Sequence, residues 1–173
     1  AILMLFLNCG IRRSELVNLN LSDVYEDRIR VIGKGNKERF VYFGSACRKA
    51  IDAYLPERNQ KVLTDNRALF GSRDNNRISV TAVHRLVKKA LLQAGLDSTQ
   101  YSAHKLRHTA ATMMLSGGVD VKTVQEVLGH ENLNTTQIYT HIESTELKIA
   151  AEANPLSKLD FSDKMEDNND SNQ

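Results

Sequence analysis

Residues 102–115 read SAHKLRHTAATMML. Ser102 followed by Leu106, Ala110, Met113 and Met114 at helical spacing predicts a helix that begins near Ser102 and buries those four. Its first turn is unusual. A helix N-terminus carries partial positive charge and favours acids, yet this one opens with His104, Lys105, Arg107 and His108. An anion held against that end resolves the conflict, because open backbone N–H groups and cations then serve one ligand.

Outward from this stretch the chain reads as mainly helix with one small antiparallel β insertion, an α+β class. AILMLFLNCG (1–10) reads as the later part of a core helix stopped by Gly10. It is far too short to span a membrane and has no basic leader. It starts mid-pattern, with no cap and no initiator Met, and so reads as a piece of a longer protein. RRSELVNL (12–19) is a short helix with a cap-like Ser14. RIRVIGKGNKERFVYF (28–43) is a hairpin around a glycine-containing loop, with Ile29 and Val31 on one face and Arg28 and Arg30 on the other. Ser45 is expected to cap a helix that Pro56 ends near Leu55, and ALFGS (68–72) a small strand or turn. Ser79 caps a helix stopped by Gly95, and Asp120 one stopped by Gly129. Asn134 or Thr135 is expected to cap a last helix through TQIYTHIESTELKIAAEA (136–153).

Charge is uneven. The net charge is only +2, but Asp160, Asp163, Glu166, Asp167 and Asp170 against Lys164 give residues 160–173 a net of −4, leaving about +6 on residues 1–159. The tail has almost no apolar content and is expected to be disordered, with 1–159 as one domain. Cys9 and Cys47, the only cysteines, read as buried inert thiols in a reduced cytoplasmic setting.

Four segments concentrate polar chemistry beside breaks in the apolar pattern: GIRRSELVNL (10–19), VIGKGNKERF (31–40), His104-x-x-Arg107-His108, and LGHENLNTTQIYTH (128–141). In that order and with those gaps they resemble the tyrosine recombinases, the phage integrase family, and within it the Xer-like members. The resemblance covers about residues 1–155. It implies the tyrosine recombinase catalytic-domain fold, with an N-terminal DNA-clamping domain that this stretch lacks. It implies that Arg12 and Arg107 grip the non-bridging oxygens of one DNA phosphate, with His104 and His130 beside it. Lys34 enters from the hairpin tip and Tyr139 is the nucleophile. The implied reaction breaks and rejoins DNA through a 3′-phosphotyrosyl link and releases a 5′-hydroxyl. It also implies double-stranded DNA as partner and a homo-tetramer on DNA, with a monomer or swapped dimer without it. The helix after the tyrosine either docks on a neighbour or packs back on its own core. No membrane and no small-molecule ligand are expected, and the setting is a bacterial or mobile-element cytoplasm, at the nucleoid. A relaxing enzyme with the same chemistry and a non-catalytic DNA-binding protein of the same fold are the alternatives.

The chemistry suits those residue types. Charge builds on phosphate oxygens in an in-line displacement, so fixed cations are what the transition state needs. A guanidinium supplies two parallel hydrogen bonds and stays charged at working pH. A covalent phosphotyrosine keeps the broken bond's energy, so neither ATP nor another cofactor is required, and the cations at the phosphate make a metal unnecessary. His104 and His108 stand at zinc spacing, but Lys105 replaces the Glu such a helix uses. His108 is expected in a buried hydrogen bond. Glu15, one turn after Arg12, is expected to orient a basic residue. Arg13 is expected to contact DNA backbone or an acidic neighbour. Arg85, Lys88 and Lys89 form a basic face, solvated or tracking phosphates.

Overall fold

The computed structural model describes residues 1–97, 99, 101–129 and 144–159. The fold is mainly α with a two-stranded antiparallel sheet. In order come α1 (Ile2–Met4, widening into a π turn over Leu5–Cys9), α2 (Arg13–Asn18), β1 (Arg28–Ile32), β2 (Glu38–Tyr42), α3 (Ser45–Asn59), α4 (Val80–Gln93), α5 (Ala103–Ser116), α6 (Val121–Leu128) and α7 (Ser144–Ala153). Short 3-10 turns lie at Leu21–Asp23, Lys34–Asn36 and Pro155–Lys158.

The first ten residues form the centre of the core. Leu5, Phe6, Cys9 and Ile11 are fully buried, and α5 packs along them with Ala110 and Met114. That stripe is as the spacing predicts, except that Met113 is only half-buried. Gly10 stops the π turn in the left-handed region at φ 57°, where glycine carries no steric penalty. The hairpin pairs Arg28 with Tyr42, Arg30 with Phe40 and Ile32 with Glu38. Its inner face buries Ile29, Val31 and Val41, as alternation requires.

Local caps behave as their residues dictate. Ser79 Oγ accepts from Ala82 N at 3.1 Å to start α4. Asp120 accepts from Lys122 N at 2.9 Å and Thr123 N at 3.0 Å to start α6, and Gly129 ends it at φ 66°. Three expectations are corrected. The N-cap of α3 is Gly44, not Ser45, which is the first residue of the helix and donates its hydroxyl to Ser157 O at 3.3 Å. The N-cap of α2 is Arg12, not Ser14, because the Glu15 carboxylate reaches back to Arg12 N at 2.8 Å. Pro56 does not end α3, which runs one turn further to Asn59. Arg58 anchors that turn by donating to the carbonyls of Ala68 and Asn66, both at 2.8 Å, which offsets the hydrogen bond that proline removes. ALFGS forms isolated bridges, Asn20 with Ala68 and Gly71 with Arg77.

The described part of the last helix packs back on its own chain. Ala150 and Ala151 are buried, Asn154 Nδ2 donates to Leu7 O at 2.8 Å, and Lys148 pairs with Asp27 at 2.7 Å. Backbone approaches are close here: a Cβ on Gly117 would collide with the Ala153 carbonyl, and one on Gly44 would lie 2.8 Å from Ser157 O. The acidic tail and residues 130–143, with the expected cap at Asn134 or Thr135, lie outside the described residues.

Gly117 has an ordinary helical φ of −77°, so alanine there strains nothing but this contact. Gly117→Ala is expected to cost about 1–3 kcal/mol through overpacking and to release residues 147–158. Urea denaturation and amide exchange of α7 measure both effects. Unchanged exchange across α7 would count against the tight docking.

Candidate active site

The site is built around the C-terminal end of α6. A helix ends with unpaired carbonyls and partial negative charge, and here arginines from three other segments supply the donors. Arg107, in the first turns of α5, donates Nη2 to Leu128 O at 2.7 Å and Nη1 to Gly10 O at 2.5 Å. Arg12, leading into α2, donates Nη2 to Gly129 O at 2.9 Å. Arg39, on β2, donates Nη2 to Leu128 O and Nε to Val127 O, each at 3.4 Å. One turn of chain thus gathers three guanidiniums.

Among the described residues one carboxylate answers two of them. Glu15 is 3% exposed. Arg12 Nη1 reaches its Oε1 at 2.9 Å. Arg39 grips both oxygens, Nη1 to Oε1 at 2.8 Å and Nη2 to Oε2 at 3.1 Å. Burial pushes the Glu15 carboxyl up, but the hydrogen bonds from Arg39 and Arg12 outweigh it and hold the group below its usual range. Arg107 goes the other way. Burial, helped by the like charges of Arg12 and Arg39 and opposed by Glu15, brings its guanidinium down to about 10. It stays charged at neutral pH, in surroundings that penalise the charge.

Arg12, Arg13, Ser14, Ala103, His104 and Arg107 line an open cavity of about 360 Å³. His104 is exposed in the first turn of α5, behind an N-cap Ser102 whose hydroxyl makes no capping bond. The structure therefore brings three of the six predicted site residues, Arg12, His104 and Arg107, to one cavity. Lys34 is placed by its backbone in the hairpin turn, which Gly33 N closes onto Lys37 O at 2.8 Å. The neighbouring Gly33 sits against the cluster, since a Cβ there would be 3.6 Å from Arg39 Nη1 and 3.8 Å from Glu15 Oε1. His130 directly follows the Gly129 carbonyl that Arg12 holds, and both His130 and Tyr139 lie outside the described residues.

His108 is exposed, not buried: with Arg107 turned inward, the next residue on α5 faces out. Sequence reading also passed over Arg39. The signal was available, because residues two apart on a strand share a face and Arg39 stands with Val41 on the inner side of the hairpin.

The phage integrase family profile matches residues 1–146. The chain belongs to the phage integrase family. It is 55% identical over 159 residues to tyrosine recombinase XerC of Caldanaerobacter subterraneus subsp. tengcongensis, covering 91% of this chain and 45% of that one. Among solved structures it resembles XerA recombinase, with a TM-score of 0.70 and 36% identity over 86% of this chain and 55% of that chain. It also resembles XerH site-specific recombinase bound to difH substrate before cleavage, with a TM-score of 0.67 and 29% identity over 87% of this chain and 45% of that chain. The chain spans about half the length of these integrase-family relatives. Among the described residues no helix is long and apolar enough to cross a membrane.

The ion pairs at Glu15 set a pH dependence. The folded carboxyl lies below its ordinary value, so their contribution is complete above about pH 4.3 and is lost as pH falls through the folded value. Glu15→Gln is expected to cost about 2–3 kcal/mol at pH 7, less than a fully buried pair because Arg12 is partly exposed. The loss relative to wild type should shrink as pH falls from 6 to 3. Denaturation midpoints across that range measure it, and a difference constant with pH would refute the assignment.

Proposed function

We propose that this chain is the catalytic part, residues 1–159, of a Xer-like site-specific DNA recombinase. The observation that carries the reading is the convergence of Arg12 and Arg107 on consecutive carbonyls at the end of α6, beside His104 and one cavity. Such fixed donors suit a phosphate whose oxygens gain charge. An anion there would also relieve Arg107, whose charge burial and its neighbours disfavour.

In this reading Arg12 and Arg107 hold the non-bridging oxygens of the scissile phosphate and His130 donates to the same group. The Tyr139 oxygen attacks phosphorus in line. A phenol of pKa about 10 is scarcely ionised at pH 7, so His104 takes its proton as the P–O bond forms. The bond to the 5′ oxygen breaks, and Lys34 protonates that leaving group. Attack by a 5′-hydroxyl on the phosphotyrosyl link reverses these steps and restores one phosphodiester and one phenol. The exposed Arg85 and Lys89 on α4, with Arg13 at the cavity, would track flanking phosphates of duplex DNA. A homo-tetramer on two duplexes in the bacterial cytoplasm, at the nucleoid, completes the reading. The recombinase names of the relatives and the DNA in the XerH complex support it.

The test is covalent capture. The chain is incubated with a pool of nicked suicide duplexes of randomised sequence and resolved by denaturing electrophoresis. A protein–DNA band is expected from wild type and none from Tyr139→Phe. Arg12→Ala should slow its formation about a hundredfold at saturating DNA, a loss of roughly 3 kcal/mol in barrier. A band that survives Tyr139→Phe would move the nucleophile elsewhere.

A further inference from the structure

Arg39 shares one acceptor atom with each of the two arginines proposed to grip the phosphate. Its Nη1 and the Arg12 Nη1 meet on Glu15 Oε1, at 2.8 and 2.9 Å. Its Nη2 and the Arg107 Nη2 meet on Leu128 O, at 3.4 and 2.7 Å. Arg39 itself does not line the cavity, and its side chain is only 19% exposed. A Cβ on Gly129 would lie 2.8 Å from its Cζ, so the guanidinium lies flat against the glycine that precedes His130. A charged side chain turned inward from a hairpin and engaged by four contacts faces the protein and not the cavity. What it can do is fix the acceptors on which the other two arginines depend.

We propose that Arg39 is a positioning residue for DNA cleavage: its two-pronged grip on Glu15, with its contacts to the end of α6, holds Arg12 and Arg107 in register. This rests on the recombinase reading. Without Arg39, Glu15 keeps only Arg12 as partner among the described residues and gains freedom to rotate. Arg12 then samples orientations in which its fork misses the phosphate. The loss falls on the rate of the chemical step and not on affinity, because no donor to DNA is removed. It also runs through Glu15, whereas Lys34 acts on the leaving oxygen by a separate route.

The experiment measures single-turnover cleavage of the suicide duplexes and their Kd for wild type, Arg39→Met, Glu15→Gln, Lys34→Ala and the two double variants that contain Arg39→Met. Arg39→Met is expected to cleave 10- to 100-fold more slowly with Kd within threefold of wild type. Combined with Glu15→Gln the losses should fall well short of multiplying, because the two variants share the Arg39–Glu15 contact. Combined with Lys34→Ala the two losses should multiply. Arg39→Lys keeps the charge without the fork, and should be at least fivefold slower at unchanged Kd. It carries the test if Arg39→Met does not fold. Wild-type rates in the Arg39 variants, a loss of affinity in place of rate, or losses that multiply with Glu15→Gln would each overturn the proposal. Should wild type form no adduct, the recombinase reading itself fails; an adduct formed equally by wild type and Arg39→Met sinks only the role of Arg39.

Discussion

The end of α6 holds the molecule's polar centre together. Val127, Leu128 and Gly129 present carbonyls that the helix cannot satisfy, and a buried carbonyl without a donor is costly. Three arginines answer them, from α5, from the turn before α2 and from β2. Arg107 adds Gly10 at the end of the first helix to the same knot. Segments far apart in sequence, near residues 10, 39, 107 and 128, are thereby fixed to one another by polar contacts. The apolar core brings these elements close, but it is non-directional. The guanidinium forks supply direction, because each has a fixed plane and fixed donor angles.

This arrangement is not the most stable way to fill the space. Among the described residues three guanidiniums gather near one carboxylate, and Arg107 is held where burial and like charges disfavour its charged form. A folding domain selected for stability alone would replace such a cluster with apolar side chains, often at no cost or with a gain. The excess positive charge makes sense for a site that receives an anion. In the recombinase reading, donors already locked by carbonyls and by Glu15 would not need to reorganise on meeting a phosphate, and that absence of reorganisation is where electrostatic catalysis gains most. In that reading, the same contacts that hold the fold would aim the chemistry.

Much of this was legible in the chain because it is local. Ser79, Asp120, Gly10 and Gly129 start or stop helices through atoms within a few residues, and the alternation of Ile29 and Val31 fixes the hairpin's inner face. The meeting of Arg12, His104 and Arg107 at one cavity was expected from their motifs. What escaped depends on distant partners. Arg58 can carry α3 past Pro56 only because the carbonyls of Asn66 and Ala68 happen to lie within reach. Ser14 looks like a cap, but Glu15 engages the backbone of Arg12 and shifts the helix start. Arg39 reads as one more solvated charge until Glu15 and α6 are seen beside it.

The glycines that punctuate the site motifs follow from the same packing. A Cβ on Gly10 would meet Leu128 Cδ2 at 2.5 Å, and one on Gly129 would press into Arg39. Both residues also adopt positive φ, at 57° and 66°, so a side chain is disfavoured twice, by conformation and by space. Each glycine ends a helix and so exposes carbonyls, and each leaves room for the chain or guanidinium that comes to those carbonyls. A larger residue at either place would push the end of α6 away from Arg107 or Arg39 and lengthen hydrogen bonds that now lie between 2.5 and 3.4 Å. The helix stop and the arginine cluster are therefore one device, and the sequence places each glycine directly against the residues whose chemistry it makes room for.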